Sequence, residues 1–350
     1  MIDTIKIYTQ IDKNLYKRIK QQQTICQKFN ESTGELFYKI VTDDLKGTYD
    51  SNIHVGVGSG MKYNFVNSYY LEIECSPHKV LLGHNAFNGF YDLRLIANKI
   101  INIVSAEYGL DLPKLNHWLL GRVDITKTFD LDTQDNVQKY INSLKLLSYP
   151  RRKISFYDTS LNCPGSYTTI KIYNKLVEFN KHDRSKLLRF TDFNIFEFES
   201  KIKGFVRFEC EIKSKKLKNM YGKKYIRVMN VLYEDLEKIW NDEFMKILKF
   251  EDIKNNNIKK RVKTKEDIQE RLNSRFKQSK ANLLYSFFLT IVTDGYYITK
   301  GNFSESTFYR NIKLLKECGI DFSQSNFNDI ATVDFDSMVD FDPFSFKEVI

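Results

Sequence analysis

The 350-residue sequence predicts an α+β fold, in which a largely antiparallel sheet with flanking helices precedes a mostly helical carboxyl-terminal domain. Several strand-like segments alternate apolar and polar residues, as strands with one buried face do. Helix-like segments separate these strands without the short βα units of a Rossmann fold. The later part of the chain has helical periodicity. These observations predict an α+β domain over residues 1–230, a helical domain over 231–320 and an acidic tail over 321–350.

Strands and helices alternate in the first half of the chain. The segment TIKIYT is typical of a strand, and KYNFVNSYYLEIEC predicts two strands around Asn67 and Ser68. In YDLRLIANKIINIVSAEYG the apolar residues recur at helical spacing, and Gly109 is placed to end the helix. LLGRVDITKTF predicts a further strand, and the helix after it has Asp132 or Thr133 as its N-cap.

The second half begins with a predicted hairpin, because KISFYD and YTTIKIYN flank the turn-rich TSLNCPGS. NKLVEFNKHDRSKLL predicts a helix, FVRFECEIK a strand and SKKLKNMYG the start of another helix. Near the carboxyl terminus, LLYSFFLTIVTDGYYITKGNFSESTFYRN predicts helix, turn and helix, with Ser304 or Ser306 as the second cap. The second helix carries Tyr309, Arg310 and Lys313 on one side, which suits either a DNA-reading helix-turn-helix or an ordinary helical packing domain.

The charge is unevenly distributed along the chain. The formal net charge is +10, and residues 201–280 contain 23 Lys and Arg against 12 Asp and Glu. Residues 321–350 contain seven acids and one lysine. A basic middle favours a polyanionic partner such as nucleic acid, although surface lysines that are merely solvated would give the same count.

Several classes of protein are disfavoured. The five cysteines are scattered without a CxxC pair, which argues against a zinc ribbon or a disulfide framework, and Cys75 and Cys210 fit apolar core positions. There is no GxxxxGK[ST] loop, which argues against an ATP-driven motor. The opening MIDTIKIYTQ lacks a signal core and no apolar run reaches roughly 18–20 residues, so a cytoplasmic protein without a membrane partner is expected.

Strand alternation places many polar side chains on one face of the predicted sheet. They include carboxylates, arginines, a lysine and a tyrosine: Glu72, Glu74, Arg122, Asp124, Lys171, Tyr173, Arg207, Glu209 and Glu211. If the strands share a sheet, the carboxylates would suit Mg²⁺ or Mn²⁺, which polarises a phosphodiester. A tyrosine phenol needs such help, or a nearby cation, to attack as phenolate. The alternative is a sheet face whose charges only solvate it.

Six segments of the chain resemble a known family: MIDTIKI, LEIECSPHKVLLGHNAFNG, RVDIT, TTIKIYNKLVE, GFVRFECEIKSKKLK and FYRNIKLLKECGI. In this order they are similar to the replication initiators of filamentous phages, the gene II/X family of phage and plasmid replication proteins. SPHKVLLGHN and VRFECEIKSKKLK are long enough to be specific. The stretch between RVDIT and the tyrosine strand is shorter than in the coliphage members, and the HxH metal motif of many other nickases and relaxases is missing.

The resemblance implies a site-specific endonuclease that nicks one strand of double-stranded replicative DNA at the origin, leaves a 3′-OH primer and later rejoins the displaced strand. Tyr173 corresponds to the proposed nucleophile, and Lys171, Lys175 and Arg207 are expected to support the phosphate or the phenolate. The implied cofactor is Mg²⁺ or Mn²⁺. Its expected ligands are Asp124 and Glu209, followed by Glu72 and Glu211.

The implied partners are double-stranded and single-stranded DNA at the origin, together with a host helicase and polymerase, and a homo-oligomer is left open. The expected DNA contacts are basic residues of two segments: Lys213, Lys215, Lys216, Lys218, Arg310 and Lys313. Two other functions remain open. One is a non-catalytic origin or operator binder. The other is a tyrosine recombinase or topoisomerase, which relies on arginines and histidines rather than carboxylates.

Overall fold

The fold is known from a computed structural model of the chain. It describes most of the sequence, namely residues 1–23, 25–29, 36–41, 43–47, 50–59, 68–87, 89–144, 149, 151–190, 193–248 and 265–320. The acidic tail and the first of the two strands predicted around Asn67 lie outside the described residues.

A nine-stranded antiparallel sheet forms the centre of the protein. Its strands are β1 (Ile2–Ile11), β4 (Asp43–Lys46), β5 (Asn52–Ser59), β6 (Tyr69–Cys75), β7 (Leu119–Asp130), β8 (Ser155–Tyr157), β9 (Ser160–Cys163), β10 (Thr168–Asn174) and β11 (Phe205–Lys213). They lie in the order β4-β5-β6-β1-β7-β11-β10-β9-β8. Two further strands, β2 (Ile25–Phe29) and β3 (Leu36–Val41), form a separate two-stranded antiparallel sheet.

Helices connect and cover these strands. Those of the first 250 residues are α1 (Lys13–Gln22), α2 (Pro77–Leu82), α3 (Leu93–Tyr108), α4 (Gln134–Ser143), α5 (Lys175–His182), α6 (Arg184–Leu187), α7 (Ile195–Ile202), α8 (Ser214–Tyr221) and α9 (Tyr233–Leu248). Those that follow are α10 (Lys265–Asn273), α11 (Gln278–Asp294), α12 (Tyr296–Gly301) and α13 (Glu305–Glu317). The α+β fold with a largely antiparallel sheet and a helical carboxyl-terminal region is therefore confirmed.

The predicted helix ends agree with the structure. Gly109 ends α3 with a φ of 60°, a left-handed conformation that glycine adopts without steric cost. Thr133 caps α4 by accepting a hydrogen bond from the Asn136 amide, and Ser304 caps α13 by accepting one from the Thr307 amide.

The hairpin predicted around TSLNCPGS is wrong, since the segment forms three strands. β9 lies inside the predicted turn and pairs with β8 on one side and β10 on the other. Leu161 and Cys163 of β9 are buried and alternate with Ser160 and Asn162. The strand is only four residues long, and its polar residues are also common in turns, which concealed its period of two.

The apolar face of the sheet packs under α3, α4 and α9. Trp240 of α9 donates an indole hydrogen bond to the Phe208 carbonyl at 3.3 Å, and Phe244 packs on the Phe208 ring at 5.2 Å between centroids. The division predicted at residue 230 assigns α9 to the second domain, but α9 shares the core of the sheet. We propose a boundary between α9 and α10.

Helices α10, α11 and α13 enclose a second apolar cluster of their own. Tyr297 of α12 meets the sheet region, where its hydroxyl donates a hydrogen bond to the Arg152 carbonyl at 2.8 Å. Within the described ranges, no helix combines the length and the apolar character that crossing a membrane requires.

The polar face of the sheet is covered at one end. A smaller apolar cluster there joins residues of the segment after α2 to α5, α6 and α7, and includes Phe87, Phe179 and Phe198. As a result, several polar side chains that alternation places on this face are buried, among them Asp124, Thr126, Arg207 and Glu209. Burial of charged groups requires partners for them, and these partners define the site.

Candidate active site

The strand register brings the predicted site residues of three strands side by side. Tyr173 lies opposite Arg207, and Lys171 lies opposite Glu209, across the β10–β11 pair. Asp124 of β7 lies opposite Glu211. Directly opposed residues share a face and have Cβ atoms about 4.5–5.5 Å apart, so the sheet assembles these groups without help from loops.

Tyr173 is hydrogen-bonded to a carboxylate that also binds a lysine. The tyrosine hydroxyl donates to Glu209 Oε2 at 3.0 Å, and Lys171 Nζ lies 2.7 Å from Glu209 Oε1. Burial and the negative charge of Glu209 raise the pKa of the Tyr173 phenol well above its ordinary value, while Arg207 opposes the rise. The phenol is therefore protonated at neutral pH, with a base already in contact.

Arg207 is fully buried behind Tyr173 and is held by several acceptors. Its guanidinium donates to Thr128 Oγ1 at 3.1 Å and to the Asn85 carbonyl, and lies 3.5 Å from Asp3 Oδ1. The Asn85 amide also donates to Asp3 at 2.8 Å. Neither Asp3 nor Asn85 was predicted as a site residue, although both lie in segments that carry the family resemblance, MIDTIKI and SPHKVLLGHN.

Lys175, predicted to support the phosphate or the phenolate, lies in the interior. Its side chain is fully buried, donates to Asn85 Oδ1 at 2.7 Å and forms an ion pair with Glu178. Burial lowers the pKa of Lys175 to about 8, against the influence of Glu178. Lys175 does not line the cleft described below; it contacts Asn85, and Glu178, which does line the cleft.

Each carboxylate predicted as a metal ligand has a cationic neighbour. Arg122 donates two hydrogen bonds to Asp124, at 2.8 and 2.5 Å, and lies 3.7 Å from Glu211. Glu72 is on β6, away from Tyr173, and its carboxylate lies 2.8 Å from Lys6 Nζ. Burial raises the pKa of Asp124 and the hydrogen bonds from Arg122 oppose the rise.

The positions of these side chains show whether they could bind a divalent cation. In the described part of the chain, no group of three or more His, Cys, Asp or Glu side chains is placed to hold a metal ion. The four candidate carboxylates are instead paired with Lys171, Arg122 or Lys6. The arrangement therefore does not fit a carboxylate-coordinated cation as it stands, because binding one would first require these ion pairs to break.

A cleft of about 400 Å³ opens beside Tyr173. It lies between β9 and α5, and its lining combines donors and acceptors with two cations: Thr159, Ser160, Leu161, Asn162, Lys171, Tyr173, Asn174, Val177, Glu178, Lys181, His182 and Glu209. A molecule that enters the cleft therefore contacts Tyr173. Ser160, Asn162, Lys181 and His182 were not predicted, since they lie in a short strand and on a helix without a motif.

The predicted DNA contacts lie outside this cleft. Lys213 ends β11 and donates to the Gly165 carbonyl at 2.9 Å, whereas Lys215, Lys216 and Lys218 follow on α8. Arg310 and Lys313 are exposed on α13. The first predicted basic group thus lies at the end of β11 and on α8, and β11 pairs with the strand of Tyr173, whereas the second group lies on α13.

Comparison with known proteins gives a family assignment. The family model for the amino-terminal part of the phage replication-associated protein encoded by gene II matches residues 1–240. The replication-associated protein of Enterobacteria phage M13 is 25% identical over 291 residues, covering 73% of this chain and 70% of that protein. The homologue from Enterobacteria phage fd is 24% identical over 294 residues, with the same coverage.

One solved structure, a rolling circle replication initiator protein from Geobacillus stearothermophilus, overlaps 63% of this chain and 77% of its own at 11% identity, but its TM-score of 0.28 is too low to transfer any property. The match of the family model over residues 1–240 includes every strand of the sheet and the whole cleft beside Tyr173. The chain belongs to the gene II family of filamentous phage replication-associated proteins.

Proposed function

We propose that this protein initiates rolling-circle replication by nicking one strand of duplex DNA at an origin, with Tyr173 as the nucleophile. Membership of a replication-associated family supports the general role. The observation that supports the chemistry is the contact between the Tyr173 hydroxyl and Glu209, 3.0 Å long, at the wall of an open cleft. A nucleophile in contact with its base is the arrangement that activates a weak nucleophile such as a phenol.

In the proposed reaction the Tyr173 oxygen attacks the scissile phosphorus while its proton moves to Glu209. The new bond joins the tyrosine oxygen to phosphorus, and the bond from phosphorus to the 3′-oxygen breaks. The leaving oxygen takes up a proton from water and becomes the 3′-OH that primes synthesis. A 3′-OH that later attacks the 5′-phosphotyrosine reverses these steps and rejoins the displaced strand, so the bond energy is conserved without ATP.

The cations around Tyr173 have separate parts in this proposal. Arg207 opposes the rise in the phenol pKa, so it stabilises the negative charge that develops on the tyrosine oxygen. Lys171 is bound to Glu209 and lines the cleft, where its ammonium can reach a phosphate oxygen. Asp3 and Asn85 keep Arg207 in place from behind.

A requirement for Mg²⁺ or Mn²⁺ is proposed from the family resemblance alone; Asp124 and Glu209, the expected ligands, could bind the cation only after their ion pairs with Arg122 and Lys171 break. It is tested by nicking assays in EDTA and with graded Mg²⁺. Activity that is lost in EDTA and restored by either cation would support the requirement, and full activity in EDTA would refute it.

The proposed function is tested with supercoiled plasmid carrying the cognate origin. The wild type should convert it to the open-circular form and leave a 5′-linked DNA–protein adduct. Tyr173→Phe, which lacks only the hydroxyl, should do neither while retaining origin binding. Equal nicking by both proteins would exclude Tyr173 as nucleophile, and binding without nicking by the wild type would favour a non-catalytic origin binder.

A further inference from the structure

A second hollow lies near the cleft beside Tyr173. This hollow, of about 310 Å³, is lined by Lys79, Lys186 and Asp183, together with residues at both ends of α2 and at the start of β5. His182, at the carboxyl end of α5, lines both. The two hollows are therefore neighbours at His182, and the surface that they make along α5, from Tyr173 to Lys186, is called the groove below.

The free charge in this groove is positive. Its acids are already paired: Glu209 with Lys171, Glu178 with Lys175, and Asp183 with Lys79 at 2.7 Å. Lys181 and Lys186, in contrast, have no ion-pair partner among the residues that the structure describes. Two uncompensated lysines on the rim of a groove attract phosphates, because binding releases the counterions that surround a nucleic acid.

An exposed aromatic side chain lies on β8, one strand beyond the β9 wall of the cleft. Tyr157 of β8 pairs with Ser160, which in turn pairs with Tyr173, so the three residues form one row on the same face of the sheet. The Tyr157 side chain is 57% exposed. Strands are about 4.8 Å apart, which places Tyr157 roughly 10 Å from Tyr173, where its ring can stack on a base.

We propose that one unpaired DNA strand lies in this groove, with a base stacked on Tyr157, the scissile phosphate at Tyr173 and the following phosphates at Lys181, His182 and Lys186. Asn162 and Ser160 offer hydrogen-bonding groups to base edges within the cleft. α5 has eight residues and is about 12 Å long, the length of three to four stacked nucleotides. The inference rests on the proposed function and assigns the path of the strand on both sides of the nucleophile.

A single strand suits the groove better than a duplex does. A groove that follows the backbone with positive charge and presents an aromatic ring is the arrangement that binds unpaired nucleic acid. Base edges and faces become available to Asn162 and Tyr157 only when the bases are unpaired. The duplex-reading surface of this chain is expected elsewhere, on α13.

The test measures the salt dependence of binding to a single-stranded origin oligonucleotide, using the full chain. The variant Lys181→Gln/Lys186→Gln is compared with wild type and with Lys238→Gln, an exposed lysine on α9 across the sheet. Each lost phosphate contact lowers the slope of log K against log salt by about 0.7. The slope measured for the double variant should therefore be smaller in magnitude by about 1.4. Raising the salt from 50 to 200 mM should then weaken its binding by a factor about sevenfold smaller than the factor for wild type.

Tyr157 is tested in the same assay. Tyr157→Ala should weaken binding by about tenfold, whereas Tyr157→Phe, which retains the ring, should bind as wild type does. An unchanged slope in the lysine double variant, or equal effects of Lys238→Gln, would overturn the strand path, as would wild-type binding by Tyr157→Ala.

The two proposals fail separately. If the wild type forms the 5′ adduct but the groove variants bind normally, only the strand path is wrong. If the groove variants lose the salt slope but no protein nicks, the strand path holds and Tyr173 chemistry is wrong.

Discussion

Replacing Glu209 with glutamine should slow nicking while preserving the geometry around Tyr173. Glutamine has the shape of glutamate and its carbonyl oxygen can still accept the Tyr173 hydrogen bond, which is 3.0 Å long in the wild type. It cannot take the proton. The variant Glu209→Gln therefore removes only the base, together with the negative charge that faces Lys171.

Two effects of the substitution oppose each other. A positioned general base contributes about 10²–10⁴ in rate, or roughly 3–5 kcal/mol. Against this, a phenolate beside an ionised Glu209 would be repelled by about 5–6 kcal/mol at 3.0 Å and an effective dielectric constant of about 20. That repulsion disappears in the variant and makes the phenolate easier to form. We therefore expect the nicking rate at pH 7 to fall by about 10²-fold, the lower end of the range for a general base.

The pH dependence of single-turnover nicking distinguishes a general-base role of Glu209 from a purely structural role. Burial and Glu209 hold the pKa of Tyr173 well above its ordinary value, so the phenolate is scarce in the neutral range. Without a base, the rate follows the phenolate fraction and should rise about tenfold per pH unit below that pKa. The wild type, in which Glu209 accepts the proton, should depend less steeply on pH.

Two matched variants show whether a loss of nicking in Glu209→Gln comes from the missing base or from a missing metal ligand. Glu237→Gln, on α9 across the sheet, breaks an ion pair with Lys127 and should leave nicking unchanged. Glu211→Gln changes a carboxylate on the same strand and face that does not touch Tyr173. If Glu211→Gln costs as much as Glu209→Gln and both need more Mg²⁺, the carboxylates act as metal ligands. Wild-type nicking by Glu209→Gln at pH 7 would refute the general-base assignment.

Three further predictions concern stability. Arg207→Met leaves Asp3 buried without its main cation and should lower the free energy of unfolding by about 3–5 kcal/mol, measured by denaturant titration. Asn311 of α13 is buried, and both polar atoms of its side chain lack partners among the described residues, so Asn311→Leu should raise that free energy by about 1 kcal/mol; a lower denaturation midpoint would contradict this. Burial alone would raise the pKa of Glu178, but the positive charges around it, chiefly that of Lys175, lower the pKa to about 2. Because this lies below the ordinary value of 4.5, the wild type should lose roughly 3 kcal/mol as the pH falls from about 4.5 to 2, and Glu178→Gln should lose less over the same range in acid-unfolding experiments.

Alternation along single strands predicted the composition of the site but not its contacts. Tyr173, Lys171 and Glu209 are correctly placed on one face because a period of two is a local property of each strand. Which carboxylate meets the phenol depends on the order of β7, β11 and β10, and strands far apart in sequence set this order. No local pattern carries that information.

The residues that the sequence did not reveal share a physical reason. Asp3 is separated from Arg207 by about two hundred positions, and Asn85 lies in an irregular segment whose side-chain directions follow no period. Their roles arise because a charge buried on folding must find partners, wherever those lie along the chain. Only similarity of the segments that contain Asp3 and Asn85 to a known family could have indicated them.

The ion pairs also change which ligands the carboxylates can bind. Along the strands, Asp124, Glu209 and Glu211 form an acidic surface that suits a hard cation. Arg122, two residues before Asp124 on the same strand, and Lys171, on the neighbouring strand β10, form ion pairs with them and neutralise much of that surface. A cation bound at Asp124 would have to displace two hydrogen bonds from Arg122. The proposed attack by Tyr173 with Glu209 as its base requires no such rearrangement, because the contact between Tyr173 and Glu209 and the ion pair of Glu209 with Lys171 are already formed.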